Sequence, residues 1–145
     1  MSYASILVHV ESDSTSSDAR LNLAVSLASR FHAALIGVAV EAVRPPPTDG
    51  MSGALLVGDI IVAEEEQIHA DLEAAERKFR SHPGVQDLEI DWRSAVGMPV
   101  EMLARESRSA DLIVIGRDLE RLSAGSYRTV DPGELVMAAG RPVLV

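Results

Sequence analysis

Three short runs of nearly unbroken aliphatic residues constrain this chain most: SILVHV (Ser5 to Val10), AALIGVAVEAV (Ala33 to Val43) and DLIVIG (Asp111 to Gly116). A strand with one open face alternates apolar and polar side chains. A continuous β-branched run is instead the mark of a strand covered on both faces, and parallel sheets are built from such strands. Parallel neighbours need a crossover between them, and the intervening segments carry helical periodicity. After SILVHV comes ESDSTSSDAR, dense in helix-capping residues. From about Ser17 the positions Leu21, Ala24, Leu27, Ala28 and Phe31 then form one apolar stripe.

The rest of the chain repeats the pattern. AALIGVAVEAV runs into RPPPTDGMSG, whose prolines and glycines forbid regular structure. That stretch reads as a connection first, and as a lid or a partner-binding loop only second. ALLVGDIIVAEEEQIHADLEAAERKFRSHPG is the longest predicted helix, with Ile61, Ile68, Leu72, Ala75 and Phe79 on one face and a stop at SHPG. In DLEIDWRSAVG, Leu88, Ile90 and Trp92 alternate with Glu89, Asp91 and Arg93, a period of two that predicts the sheet edge. Trp92 is expected to pack beneath the second helix. MPVEMLARESRSA starts a helix at Pro99, with Val100, Leu103 and Ala104 on one side. DPGELVMAA reads as a short helix and RPVLV as a last strand. The order β-α-β-α-β-α-β-α-β predicts an α/β fold, a doubly wound parallel sheet with helices on both faces and right-handed crossovers.

Composition narrows the function classes. The 145 residues suit one domain, residues 1–145, unless RPVLV leads on into a longer chain. Aromatic residues are 3% of the total, so the core must be aliphatic. The 13 Lys+Arg against 22 Asp+Glu leave a formal charge of −9 with no basic cluster, which disfavours nucleic acid and anionic membrane as partners. The absence of cysteine excludes disulfides and thiolate chemistry. The N-terminus has neither a basic n-region nor an apolar run long enough for a signal peptide, and the expected compartment is the cytoplasm.

ILVHVESDS at the start, VGMPVEMLARESRSADLIVIGR in the second half and GRPVLV at the end together resemble the universal stress protein family. The likeness covers nearly the whole chain. It implies a five-stranded sheet of order 3-2-1-4-5, of the adenine nucleotide alpha hydrolase-like kind. It also implies homodimers paired through the last strand, an unidentified protein partner, a role in stress response, and tandem two-domain members. Some members bind ATP through Gly-x2-Gly-x9-Gly-Ser/Thr after strand four. Gly116 matches the first glycine, Leu119 stands in place of the second, and an ungapped alignment puts Thr129 and Val130 at the final pair.

A phosphate cradle needs backbone N–H groups converging on one point, often through φ > 0 conformations that leucine avoids. Leu119 therefore removes a turn. Gly125 and Ser126 substitute only if the loop is remodelled, with Ser126 or Thr129 giving a hydroxyl and Arg117 or Arg128 a charge. In DPGE, Asp131 is placed at the N-cap, Pro132 at N1 and Glu134 at N3, so two carboxylates already meet the positive end of the helix. Glu11 stands where adenine-binding relatives carry an acidic residue, just past strand one. The plainer reading has Glu11, with Ser12 and Asp13, solvating a loop or capping the next helix. Val38 to Val40 offer backbone groups to a base, as any buried strand does.

Other constellations are weaker. His9 and Glu11 share a strand face but lack a third ligand, and a packed or hydrogen-bonded His9 is the simpler reading. His32, His69 and His82 read as helix-surface or helix-end residues. GSY (Gly125 to Tyr127) is not Gly-x-Ser-x-Gly, and Walker A and Gly-x-Gly-x-x-Gly are missing. No catalytic residue and no metal site is expected. Glu64 to Glu66 read as a solvated helix face. The chain is thus expected to be a dimeric regulatory or stress-response module, not an enzyme, with a degenerate nucleotide site. The alternative is a sensor holding ATP or AMP between Glu11 and the loop from Gly116 to Thr129.

Overall fold

The computed structural model describes residues 2–12, 15–43, 54–117 and 129–145. Along these the elements run β1 (Ser5–His9), α1 (Thr15–Phe31), β2 (Ala34–Glu41), α2 (Ala54–Ser81), β3 (Ile90–Val96), α3 (Pro99–Glu106), β4 (Leu112–Val114), α4 (Pro132–Ala139) and β5 (Val143–Leu144). All strand pairings are parallel, in the order β3-β2-β1-β4-β5. Leu119, Gly125, Ser126 and Arg128 lie outside the described residues.

Period-two geometry sends alternate side chains of the inner strands to opposite faces, and each face has its own core. Ile6, Val8 and Val10 of the first strand and the residues after it pack with Leu21, Ala24 and Ala28 of α1 and Ile68, Leu72, Ala75 and Phe79 of α2. On the other face Leu7, Val38, Val40, Ile113 and Ile115 meet Leu103 of α3 and Leu135 of α4. The expected aliphatic core is present, and two of the rings packed in it are adjacent, Phe79 lying 5.3 Å from Trp92 between centroids. Both press on β2 at Gly37, where an added Cβ would fall 2.7 Å from Trp92 Cε3 and 2.8 Å from Phe79 Cδ2. Only a residue without a side chain fits under that pair.

β3 is an edge strand, as its alternation predicts. Its first turn differs from expectation: Val85–Asp87 form a 3-10 turn, and the strand begins at Ile90. A second difference concerns Ile61, expected on the buried face of α2 but 50% exposed, like its neighbours Ile60 and Val62. The reason is length. The 28 residues of α2 span about 42 Å, whereas the 8 residues of β2 span about 26 Å, so the first turns of the helix overrun the sheet. Among residues 58–81 of the helix, burial begins at Ile68. Among the described residues, no helix is long and apolar enough to cross a membrane.

Candidate functional site

The strand order reverses between β1 and β4, and in sheets of this kind the gap outside the carboxyl ends of the two strands is the place for a ligand. Glu11 leaves β1 on one side of that gap and Gly116 leaves β4 on the other. Between them lies a residue that sequence reasoning passed over. Arg20, in the second turn of α1, is 7% exposed. Its Nη1 donates to the His9 carbonyl at 2.8 Å and its Nη2 lies 3.3 Å from Glu11 Oε2. Nε is buried without a partner among the described residues.

Gly116 completes this arrangement. A Cβ built there would collide with Arg20 Nη2 and lie 2.6 Å from Cζ, so the guanidinium rests on the glycine backbone. Gly116 thus makes room for an internal cation. A signal for Arg20 was present in α1: with Ser17, Leu21, Ala24 and Ala28 it sits at helical spacing on the buried side, a charge within the stripe.

The amide of Glu11 donates to Ser17 Oγ at 3.2 Å, which ties the loop after β1 to the first turn of α1. His9 is 4% exposed, and burial lowers its pKa from 6.5 to about 4, the Glu11 charge opposing that shift and the Arg20 charge adding to it. It is therefore a packed, neutral histidine. Among the described residues, no three His, Asp or Glu side chains are gathered as a metal site.

The two β2 residues singled out from the sequence differ in availability. The Val38 carbonyl accepts from the Val10 amide at 2.8 Å and is committed to the sheet. The ladder from β1 to β2 ends there, so the backbone of Val40, two residues on and directed to the same side, extends past the end of β1. Both side chains are buried in the core facing α3 and α4.

At the far side of the gap, α4 begins as its sequence requires. Asp131 is the N-cap, its Oδ1 accepting from the Glu134 amide at 2.8 Å, with Pro132 in the first turn. Thr129 precedes the cap with Oγ1 buried and unpartnered among the described residues. It lines an open pocket of about 410 Å³ with Met98, Pro99, Glu101 and Glu134, at the start of both α3 and α4. Glu11 and Gly116 are thus joined through Arg20, while Thr129 belongs to this second, acidic depression. Gly125 and Ser126 lie outside the described residues.

Residues 2–126 match the model of the Universal stress protein family. Solved structures similar to the chain include a protein of that family from Burkholderia pseudomallei, 25% identical, covering 98% of this chain and 94% of that one at a TM-score of 0.57. A second is the universal stress protein UspA from Lactobacillus plantarum, 20% identical over 99% of this chain and 97% of that one, TM-score 0.62. A third, from Archaeoglobus fulgidus, was solved in complex with dAMP and is 20% identical over 99% and 98% of the two chains, TM-score 0.55. No curated protein matches the sequence.

Proposed function

The chain belongs to the universal stress protein family, and from that premise we propose that it is a cytoplasmic regulatory module that works through protein contacts and does not use a nucleoside triphosphate. The observation that carries this reading is the start of α4. The positive end of a helix attracts phosphate through unpaired amides and dipole. Here Asp131 already accepts from the Glu134 amide, Pro132 has no N–H to offer, and Glu134 adds a second carboxylate. A triphosphate arriving there meets anions and one donor fewer.

In this proposal the module is a homodimer. β5 is an edge strand, and beside it α4 exposes Val136 and Met137, while Leu144 of β5 and Val145 just after it are exposed. An open edge bordered by apolar side chains is a pairing surface. No reaction is assigned to the protein. The dAMP complex of the Archaeoglobus fulgidus protein favours a second reading, a sensor of AMP or ATP, with Glu11 and Val40 on one side of the gap and Gly116 and Thr129 on the other.

Thermal melts with and without millimolar AMP or MgATP separate the two. A ligand that binds only the native state raises the melting temperature by mass action. The protein-contact module is expected to show no shift. A rise of several degrees with either nucleotide overturns it in favour of the sensor.

A further inference from the structure

We propose that Arg20 determines what the gap between β1 and β4 accepts, and that its guanidinium is the group that keeps adenine nucleotides out. This rests on the reading that the native protein is closed to nucleotide, and it assigns the closure at the β1 end to one side chain.

The guanidinium touches both walls of the gap at once. It binds the carbonyl of the last residue of β1, pairs with Glu11 in the loop beyond, and lies on the backbone of Gly116 after β4. A ligand between these walls needs the same two places. It needs an acceptor for an exocyclic amine, and the Glu11 carboxylate is engaged by Arg20 with the acid side chain only 20% exposed. It also needs van der Waals room at Gly116, yet a single carbon added there would collide with Nη2. The side chain occupies the volume and engages the acceptor together.

A purely structural ion pair would be arranged differently. Buried cations are ordinarily satisfied at every donor, and a donor left without an acceptor is destabilising. Arg20 is buried with Nε unpartnered among the described residues, and its one ion pair among them is a single contact of 3.3 Å. Removing one partner of a buried pair costs the fold, but Glu11, with its side chain 20% exposed, keeps contact with water when Arg20 is replaced. What the arrangement does achieve is a guanidinium set against both walls of the gap among the described residues.

The test uses Arg20→Ser, which empties the space, and Arg20→Leu, which keeps the aliphatic contacts of α1 and removes only the guanidinium. Each is checked by circular dichroism, then melted and titrated calorimetrically with AMP and with MgATP beside the native protein. The expected result is no response from the native chain and a saturable shift of several degrees in Arg20→Ser, with affinity raised at least about tenfold. Adding Glu11→Gln to that variant is expected to abolish the gain, which general loosening of the fold would not do. If both Arg20 variants fold and neither binds, while the native protein is also silent, the proposal falls and the protein-contact reading stands. If the native protein itself binds, that reading falls, and exclusion by Arg20 with it. If neither variant folds, the guanidinium is a structural tie and the proposal is overturned.

Discussion

His9 ends β1 with its ring buried and Nε2 unpartnered among the described residues, and burial lowers its pKa from 6.5 to about 4. The unfolded chain takes up a proton near pH 6.5, whereas the folded chain stays neutral at this site until about pH 4. The unfolded state therefore binds more protons across that window, and stability falls as pH drops through it. By pH 4 the loss is about 3 kcal/mol, because each tenfold difference in proton affinity between the two states is worth roughly 1.4 kcal/mol. His9→Gln is expected to remove this component. Urea titrations of both proteins at pH 7 and pH 4.5 check it, and an equal loss in the two would show that the imidazole is not its source. Asp111 acts lower on the scale. Its carboxylate accepts from the amides of Ala4 and Ser5, which hold its pKa below 3.8, so it supports the start of β1 until the pH falls below the usual carboxylate range. A second expectation concerns Gly116. The methyl of Gly116→Ala collides with a guanidinium that is buried and hydrogen-bonded, and the expected loss is about 1–3 kcal/mol. In an Arg20→Leu background the same methyl meets no guanidinium, so the loss should shrink. A double-mutant cycle reads the difference, and strict additivity would mean that the two residues do not share the space.

Among the elements, α2 shows how a sequence pattern can identify a helix and still misplace one of its residues. Ile61, Ile68, Leu72, Ala75 and Phe79 share one helical face by spacing, but only the last four are buried. Periodicity reports direction around an axis, and it does not report whether anything lies beneath that turn. Two substitutions separate the cases. Ile61→Gln is expected to change stability by less than about 0.5 kcal/mol, since it removes no packed contact, whereas Ile68→Ala should lose about 2–5 kcal/mol. Equal effects in denaturant melts would place the first turns of α2 against something after all. α4 is the opposite case, because its start is written in local chemistry. An aspartate three residues before a glutamate, with proline between them, specifies an N-cap wherever the helix goes in the fold, and the Asp131 to Glu134 bond at 2.8 Å is that cap. Arg20 escaped notice for a related reason. A lone arginine inside a polar, cap-rich segment looks like surface, and only the placement of β4 beside β1 shows that its far end meets Gly116.

At the scale of the molecule, the continuous apolar runs are legible as inner strands because both of their faces carry a helix, and the alternating run is legible as an edge. The order of strands is not a local property, and it followed from family resemblance. That order puts β3 and β5 at the two edges, and the two are guarded differently. β3 carries Asp91 and Arg93, joined by an ion pair at 2.9 Å, with Arg93 also held to Glu106 of α3 at 3.2 Å. Charges along an edge discourage pairing with another chain. β5 has no such charge: Val143 is half-buried, Leu144 and Val145 are exposed, and Met137 of α4 nearby is 86% exposed. A strand of two residues has little hydrogen bonding to offer, so an interface here must draw mainly on these side chains. A two-fold arrangement serves them best, because the same patch then covers itself and the contact closes without growing into a fibre. The native chain is expected to sediment as a dimer at micromolar concentration. Leu144→Lys, which gives β5 the kind of guard that β3 already has, is expected to sediment as a monomer. Since Leu144 is already exposed, that change should leave the far-ultraviolet circular dichroism intact. A native protein that stays monomeric, or a Leu144→Lys variant that remains dimeric, would move the interface away from β5 and leave its apolar rim to a different partner.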